Sequence, residues 1–194
     1  DDLKHTGTGV LVFLFRRQMS TGFWSFDEYH ENCDTPDKKK CEYLENLNIT
    51  EYDKSNAMAT GLALLCFSGA GYTPKYGMYK SEVQRALSWL SNQQSAEGSF
   101  SNNNMVHAVA TTAYTELYGM TKDGKLKILA QKGINIILKR QNKSGGWDYD
   151  STSENGNTLV TAWNIIALRS GQAGGLEIGK GFANAEKYFE AVTP

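Results

Sequence analysis

One irregular spacing occurs three times in this chain and limits what it can fold into. Q-x3-G-x-aromatic stands at Gln18, Gly22 and Trp24, at Gln94, Gly98 and Phe100, and at Gln141, Gly145 and Trp147. Recurrence at a fixed spacing is the mark of a repeat architecture, in which each unit buries its apolar face against its neighbours. The flanks repeat too. Arg85-Ala86 precedes Gln94 as Lys132-Gly133 precedes Gln141, and Ala185, Tyr188 and Phe189 match Ala86, Trp89 and Leu90 as the start of a fourth copy. The first interval between glutamines exceeds the second, which is about 47 residues, by about 29, and the polar segment 27–54 accounts for the excess as an insertion on one rim.

Each unit holds two kinds of segment. Before each glutamine the apolar residues keep helical spacing, as Val83, Ala86, Leu87 and Leu90 do opposite Glu82, Gln84, Arg85 and Ser88, which predicts an outer helix with one wet face. After each turn come 59–67, 110–118 and 160–168, with Leu159 to Leu168 apolar nearly all round, which predicts inner helices buried on more than one side. The run Val10 to Phe15 has a strand's composition, but its place in the repeat assigns it to a helix. Gly69, Gly71, Gly119 and Gly171 are expected to stop the inner helices. The predicted fold is all-α, a single domain over residues 1–194: an α/α toroid, or an incomplete arc of one, in helical hairpins.

The glutamine-turn-aromatic element, with its basic-small pair upstream, resembles the repeat of squalene and hopene cyclases and of protein prenyltransferase β-subunits. The chain looks like the bacterial prenyltransferase and squalene-oxidase repeat proteins of unassigned reaction, and the resemblance runs from Val10 to Phe189. It implies that Gln18, Gln94, Gln141, Trp24, Phe100 and Trp147 are structural, the amide bonding helix-end backbone groups and the ring packing on an outer helix. It implies no activity directly. The D-x-D-D acid of the cyclases is absent, Asp148 and Asp150 lying in the turn after Trp147, where solvated turn carboxylates are the plainer reading. Cys66 and His107 lack the acidic partner of a prenyltransferase zinc site, so no cofactor is expected. A closed ring takes about six hairpins, so the expected partner is another protein or the rest of a longer chain.

The residues suggest a site of their own. Asn56, His107 and Asn157 each stand four before a threonine, Thr60, Thr111 and Thr161, so each pair shares a helix face. Three such stripes are expected either to meet at one rim of the concave side or to cap helices, the asparagines being good N-caps and threonine able to bond back along its helix. His107 is the best candidate base, or else a satisfied core histidine. Trp163 is either core or a π surface for an isoprenoid or sugar. The leading functional expectation is a binding or interaction module using that rim, ahead of a glycan-active lyase or hydrolase and then a terpenoid cyclase. A glycan or an apolar ligand would suit it.

Composition removes other classes. A net charge of -1 with scattered basic residues offers no footprint for nucleic acid, and no apolar run approaches a membrane span. Cys66 is expected in the core. Cys33 and Cys41 form either a disulfide, in an exported chain, or two free thiols, since H-x2-C-x7-C from His30 has poor metal-chelate spacing.

Overall fold

The structure, a computed structural model, describes residues 2–26 and 55–193. The insertion expected over 27–54, with His30, Cys33 and Cys41, lies outside the described residues. What is described is all-helical: α1 (Asp2–Arg17), α2 (Asn56–Gly69), α3 (Lys80–Gln93), α4 (Asn104–Thr121), α5 (Gly124–Lys139), α6 (Thr158–Gly174) and α7 (Gly181–Val192). Val10 to Phe15 is helical, as the repeat requires. The sole β-type pairing among the described residues is an isolated bridge between Asn103 and Asp150. No helix among them is long and apolar enough to cross a membrane. The chain divides into two compact units, Asp1–Ser91 and Asn92–Pro194.

In the second unit α4 is the central rod. It packs on α5 and most extensively on α6, and every residue from Asn104 to Thr115 is buried. Asn103 starts it by accepting the backbone N-H groups of Met105 (2.9 Å) and Val106 (3.2 Å), two donors that the first turn leaves without helical partners. Helix α5 is amphipathic as predicted, burying Leu126, Ala130, Ile134 and Ile137 while Lys125, Lys127 and Lys132 face solvent. The other inner helix departs from expectation. Helix α6 buries Val160, Thr161, Asn164, Ala167 and Leu168 but leaves Leu159 and Ile166 exposed, because within this unit only α4 flanks it as an inner helix.

Three other expectations are corrected. Gly119 and Gly171 lie inside their helices, and the left-handed residues that end them are Lys122 (φ 50°) and Gly175 (φ 88°). Lys122 tolerates that backbone while its Nζ donates to the Gly174 carbonyl (2.8 Å) and sits over the Tyr118 ring. Cys66 is exposed on α2 rather than in the core, since the apolar run there turns only one side inward, through Ala63, Leu64 and Phe67. Glu82, assigned to the wet face of α3, is buried, with a carboxylate oxygen 3.5 Å from the Arg85 guanidinium.

The three corners share one hydrogen-bond scheme. The Gln18 amide donates to the Gly22 carbonyl (2.8 Å) and to the Glu82 carbonyl of α3 (2.9 Å). The Gln94 amide donates to Gly98 (3.0 Å) and to Leu129 of α5 (3.1 Å), and the Gln141 amide to Gly145 (2.8 Å) and to Gly181 of α7 (2.9 Å). Each glutamine thus closes its own turn with one N-H and ties the next outer helix with the other. The glycine is required twice over. Gly22, Gly98 and Gly145 have φ of 107°, 109° and 90°, and a Cβ on each would collide with the backbone of Arg85, Lys132 or Asn184, three residues beyond the carbonyl that the glutamine holds. The indole N-H of Trp24 donates to Leu14 (2.8 Å) and that of Trp147 to Ile137 (2.8 Å), in each case the carbonyl four residues before the glutamine.

Gly145→Ala is expected to lower unfolding free energy by at least about 2 kcal/mol in urea denaturation, from backbone strain plus the collision with Asn184. Gly119→Ala, with open space and helical backbone, is expected to leave it unchanged or raise it by about 0.5–1 kcal/mol.

Candidate functional site

The polar residues that recur at the inner helices turn out to serve the corners. The backbone N-H of Trp24 donates to Thr60 Oγ1 (3.1 Å) and that of Trp147 to Thr161 Oγ1 (3.0 Å). In the second corner the same N-H, of Phe100, donates to His107 Nδ1 (3.2 Å). Thr60, His107, Thr111 and Thr161 are all fully buried. Counted from the capping asparagine, His107 follows Asn103 by the interval at which Thr161 follows Asn157. The equivalence through Thr111 is therefore one helical turn out, and His107 takes the threonine's place.

Because Nδ1 accepts a hydrogen bond, the ring hydrogen sits on Nε2, which donates to the Gly133 carbonyl (3.0 Å) with the Thr111 hydroxyl 3.4 Å away. Burial pushes the imidazole pKa down to about 4, the nearby Arg140 charge adding to that and the bond to Gly133 working against it. Both ring nitrogens are engaged and no ring atom reaches solvent, so the satisfied core histidine is the reading this geometry supports. Gly133 is small for the same reason: a Cβ there would meet the Thr111 side chain at 2.7 Å.

The other sequence candidates take separate local roles. Asn157 caps α6, accepting from Leu159 (3.0 Å) and Val160 (3.1 Å), while Asn56 is the half-buried first residue of α2 in the other unit. Trp163 is half-buried on α6. Asp148 accepts from the Tyr149 N-H (2.7 Å) and the Ser153 hydroxyl (2.8 Å), and its carbonyl accepts the Asn104 amide (2.8 Å), so it folds its loop onto the start of α4. Asp150 is exposed; the Thr152 backbone N-H, then its hydroxyl, hold the carboxyl below the usual range, the reverse of what a proton donor needs.

What the sequence reading missed is a cleft of about 700 Å³ at the corner end of the second unit. Ser95, Ser99, Ser101, Asn102, Ser151, Glu97, Lys139 and Arg140 line it, together with Phe100 and Ile136. Arg140, half-buried, follows the last turn of α5 and donates to the Ser101 carbonyl (2.7 Å) and Ser99 Oγ (2.9 Å), pinning the 99–101 strip. Burial lowers its pKa. Glu97 is held ionised by its own backbone N-H and the Ser95 hydroxyl, with lesser help from Lys139 and Lys132. Arg140 stands just before a corner glutamine, as Arg17 does in the first unit, but Gln93 precedes the corner at Gln94, so no recurring signal marked this place. No group of three or more His, Cys, Asp or Glu among the described residues is arranged to hold a metal ion. No family model matches the chain, and no curated protein is significantly similar to it.

The pH dependence of stability follows from His107. The unfolded imidazole protonates near 6.5 and the folded one near 4, so the unfolded state takes the proton first. Its contribution is intact above about pH 6.5 and is lost as pH falls towards 4, a loss on the order of 3 kcal/mol. Urea midpoints between pH 7 and 4 are expected to show that slope. In His107→Leu the slope is expected to flatten while stability at pH 7 drops by about 2–4 kcal/mol, the Phe100 N-H and Gly133 carbonyl being left unpaired.

Proposed function

We propose that this chain is a non-catalytic binding module of the squalene-cyclase-like and prenyltransferase-like repeat type, and that its ligand sits in the Ser95–Arg140 cleft at the corner rim of the second unit. The observation that carries this reading is a division of labour among polar groups. The buried His107, Thr60 and Thr161 are spent on the corners, whereas the cleft groups keep donors and acceptors to spare. Ser151 and the exposed Asn102 amide have no hydrogen-bond partner among the described residues, and Arg140 uses only part of its five N-H donors. The volume suits a small ligand, and the polar walls suit one rich in hydrogen-bonding groups.

Binding without turnover is favoured by the ionisable groups at hand. Lining the cleft are a carboxylate held ionised and two basic side chains, with no histidine, cysteine or tyrosine among them to give and take a proton. A glycan lyase or a terpenoid cyclase needs such a group.

Titrating the isotope-labelled chain with a panel of mono- and disaccharides is expected to move the backbone amide resonances of Ser95 to Asn102 and of Lys139 and Arg140, with no product formed. Shifts confined to other parts of the chain, or a saccharide consumed at a rate proportional to protein, would contradict the reading.

A further inference from the structure

The cleft is unbalanced in charge. Lys139 and Arg140 face a single carboxylate, Glu97, although the chain as a whole is slightly acidic. The imbalance centres on Arg140. Its guanidinium is half-buried, yet the oxygens it meets are neutral: the Ser101 carbonyl, Ser99 Oγ and, at 3.5 Å, Asn104 Oδ1. No carboxylate of the described residues lies within ion-pair distance of it. A cation drawn out of water without a counterion is costly, and an oxyanion arriving from solvent supplies what the chain does not. The N-H donors that these oxygens leave over suit a carboxylate or a phosphate.

Two further features separate those oxyanions. Glu97 is ionised in the same cleft, so the two basic side chains leave one positive charge over, which a monoanion balances and a dianionic phosphate exceeds. Around it stand groups that pair with hydroxyls rather than with charge: Ser101, whose oxygen accepts the Asn103 N-H and whose hydrogen stays available, together with Ser151 and the Asn102 amide. Glu97 itself is an acceptor for ligand hydroxyls. Resting on the reading of this cleft as the binding site, we infer that its ligand is a monocarboxylate on a polyhydroxyl frame, the chemistry of a uronic-acid saccharide. Arg140 takes the carboxylate, Lys139 adds long-range attraction, and the serine and asparagine groups take the ring hydroxyls.

Calorimetric titration of the full chain with three probes tests this: a galacturonic acid disaccharide, the neutral galactose disaccharide, and inorganic phosphate. The uronate is expected to bind at least about tenfold more tightly than the neutral sugar, the worth of one charge-assisted pair. It is also expected to bind more tightly than phosphate and to weaken as salt is raised. Arg140→Gln is expected to abolish the preference for uronate over neutral sugar. Because Arg140 also pins the 99–101 strip, Lys139→Gln, an exposed change, serves beside it and is expected to weaken uronate about two- to fivefold with helicity unchanged. Equal binding of neutral and acidic sugars, with cleft amides shifting for both, would sink the carboxylate assignment and leave the cleft a saccharide site. Tighter binding of phosphate than of uronate would sink it too. Failure of every probe to move the cleft resonances would overturn the assignment and the proposed function together.

Discussion

A primary amide placed between two backbone carbonyls is the interaction on which this structure depends. A glutamine at the end of an outer helix has two N-H donors, and the fold uses both: one closes the turn that the following glycine makes possible, the other grips a carbonyl in the next outer helix. The grip fixes the distance of closest approach, and the glycine then has to lie against backbone three residues further on. Neither residue has a substitute. The aromatic that follows is carried inward and its backbone N-H is delivered to an acceptor on the inner helix. Outer helix, corner and inner helix are thereby locked by three bonds whose geometry does not depend on the intervening sequence, which is why the pattern survives differences between the copies.

The second corner shows how much variation the scheme tolerates. Phenylalanine replaces tryptophan, so the indole bond to the outer helix is absent, and histidine replaces threonine as the inner-helix acceptor. The larger acceptor also reaches across to the Gly133 carbonyl of α5, a contact that threonine does not make in the third corner. One outer-to-inner tie is exchanged for another. The exchange carries a pH liability that the threonine corners do not have, because the imidazole serves only while neutral.

The corners were legible from residue identities because a glutamine, a left-handed glycine and an aromatic at fixed spacing have few other uses. So were the outer and inner helices, whose apolar periodicity differs. What the recurring polar residues meet was not legible, for a definite reason. Spacing of four puts Asn56 with Thr60 on one face but does not say what that face meets, and alignment on threonine cannot reveal that α4 begins a turn earlier than α6 does. Gly119 and Gly171 misled because glycine's permissiveness is a licence, not an instruction; Lys122 ended α4 through contacts with Tyr118 and Gly174 that are remote in sequence or visible only in three dimensions. The cleft was hidden altogether. Its walls come from the Ser95–Asn102 turn, the end of α5 and Ser151, which no repeat relates, and its character rests on an arginine whose lack of a carboxylate is a property of the assembled unit.

The corner amides themselves report most directly on whether these bonds hold the unit together. Amide hydrogen exchange, followed residue by residue under native conditions, is expected to find the backbone N-H groups of Phe100 and Trp147 exchanging only through global opening of the second unit, as slowly as Val109 and Ala113 in the buried middle of α4. Exchange of the Phe100 and Trp147 amides at the rate of the exposed turn residues Ser144 and Asn155 would show that the corners open independently of the core, and that the glutamine, glycine and aromatic bonds are not what holds the helices in place.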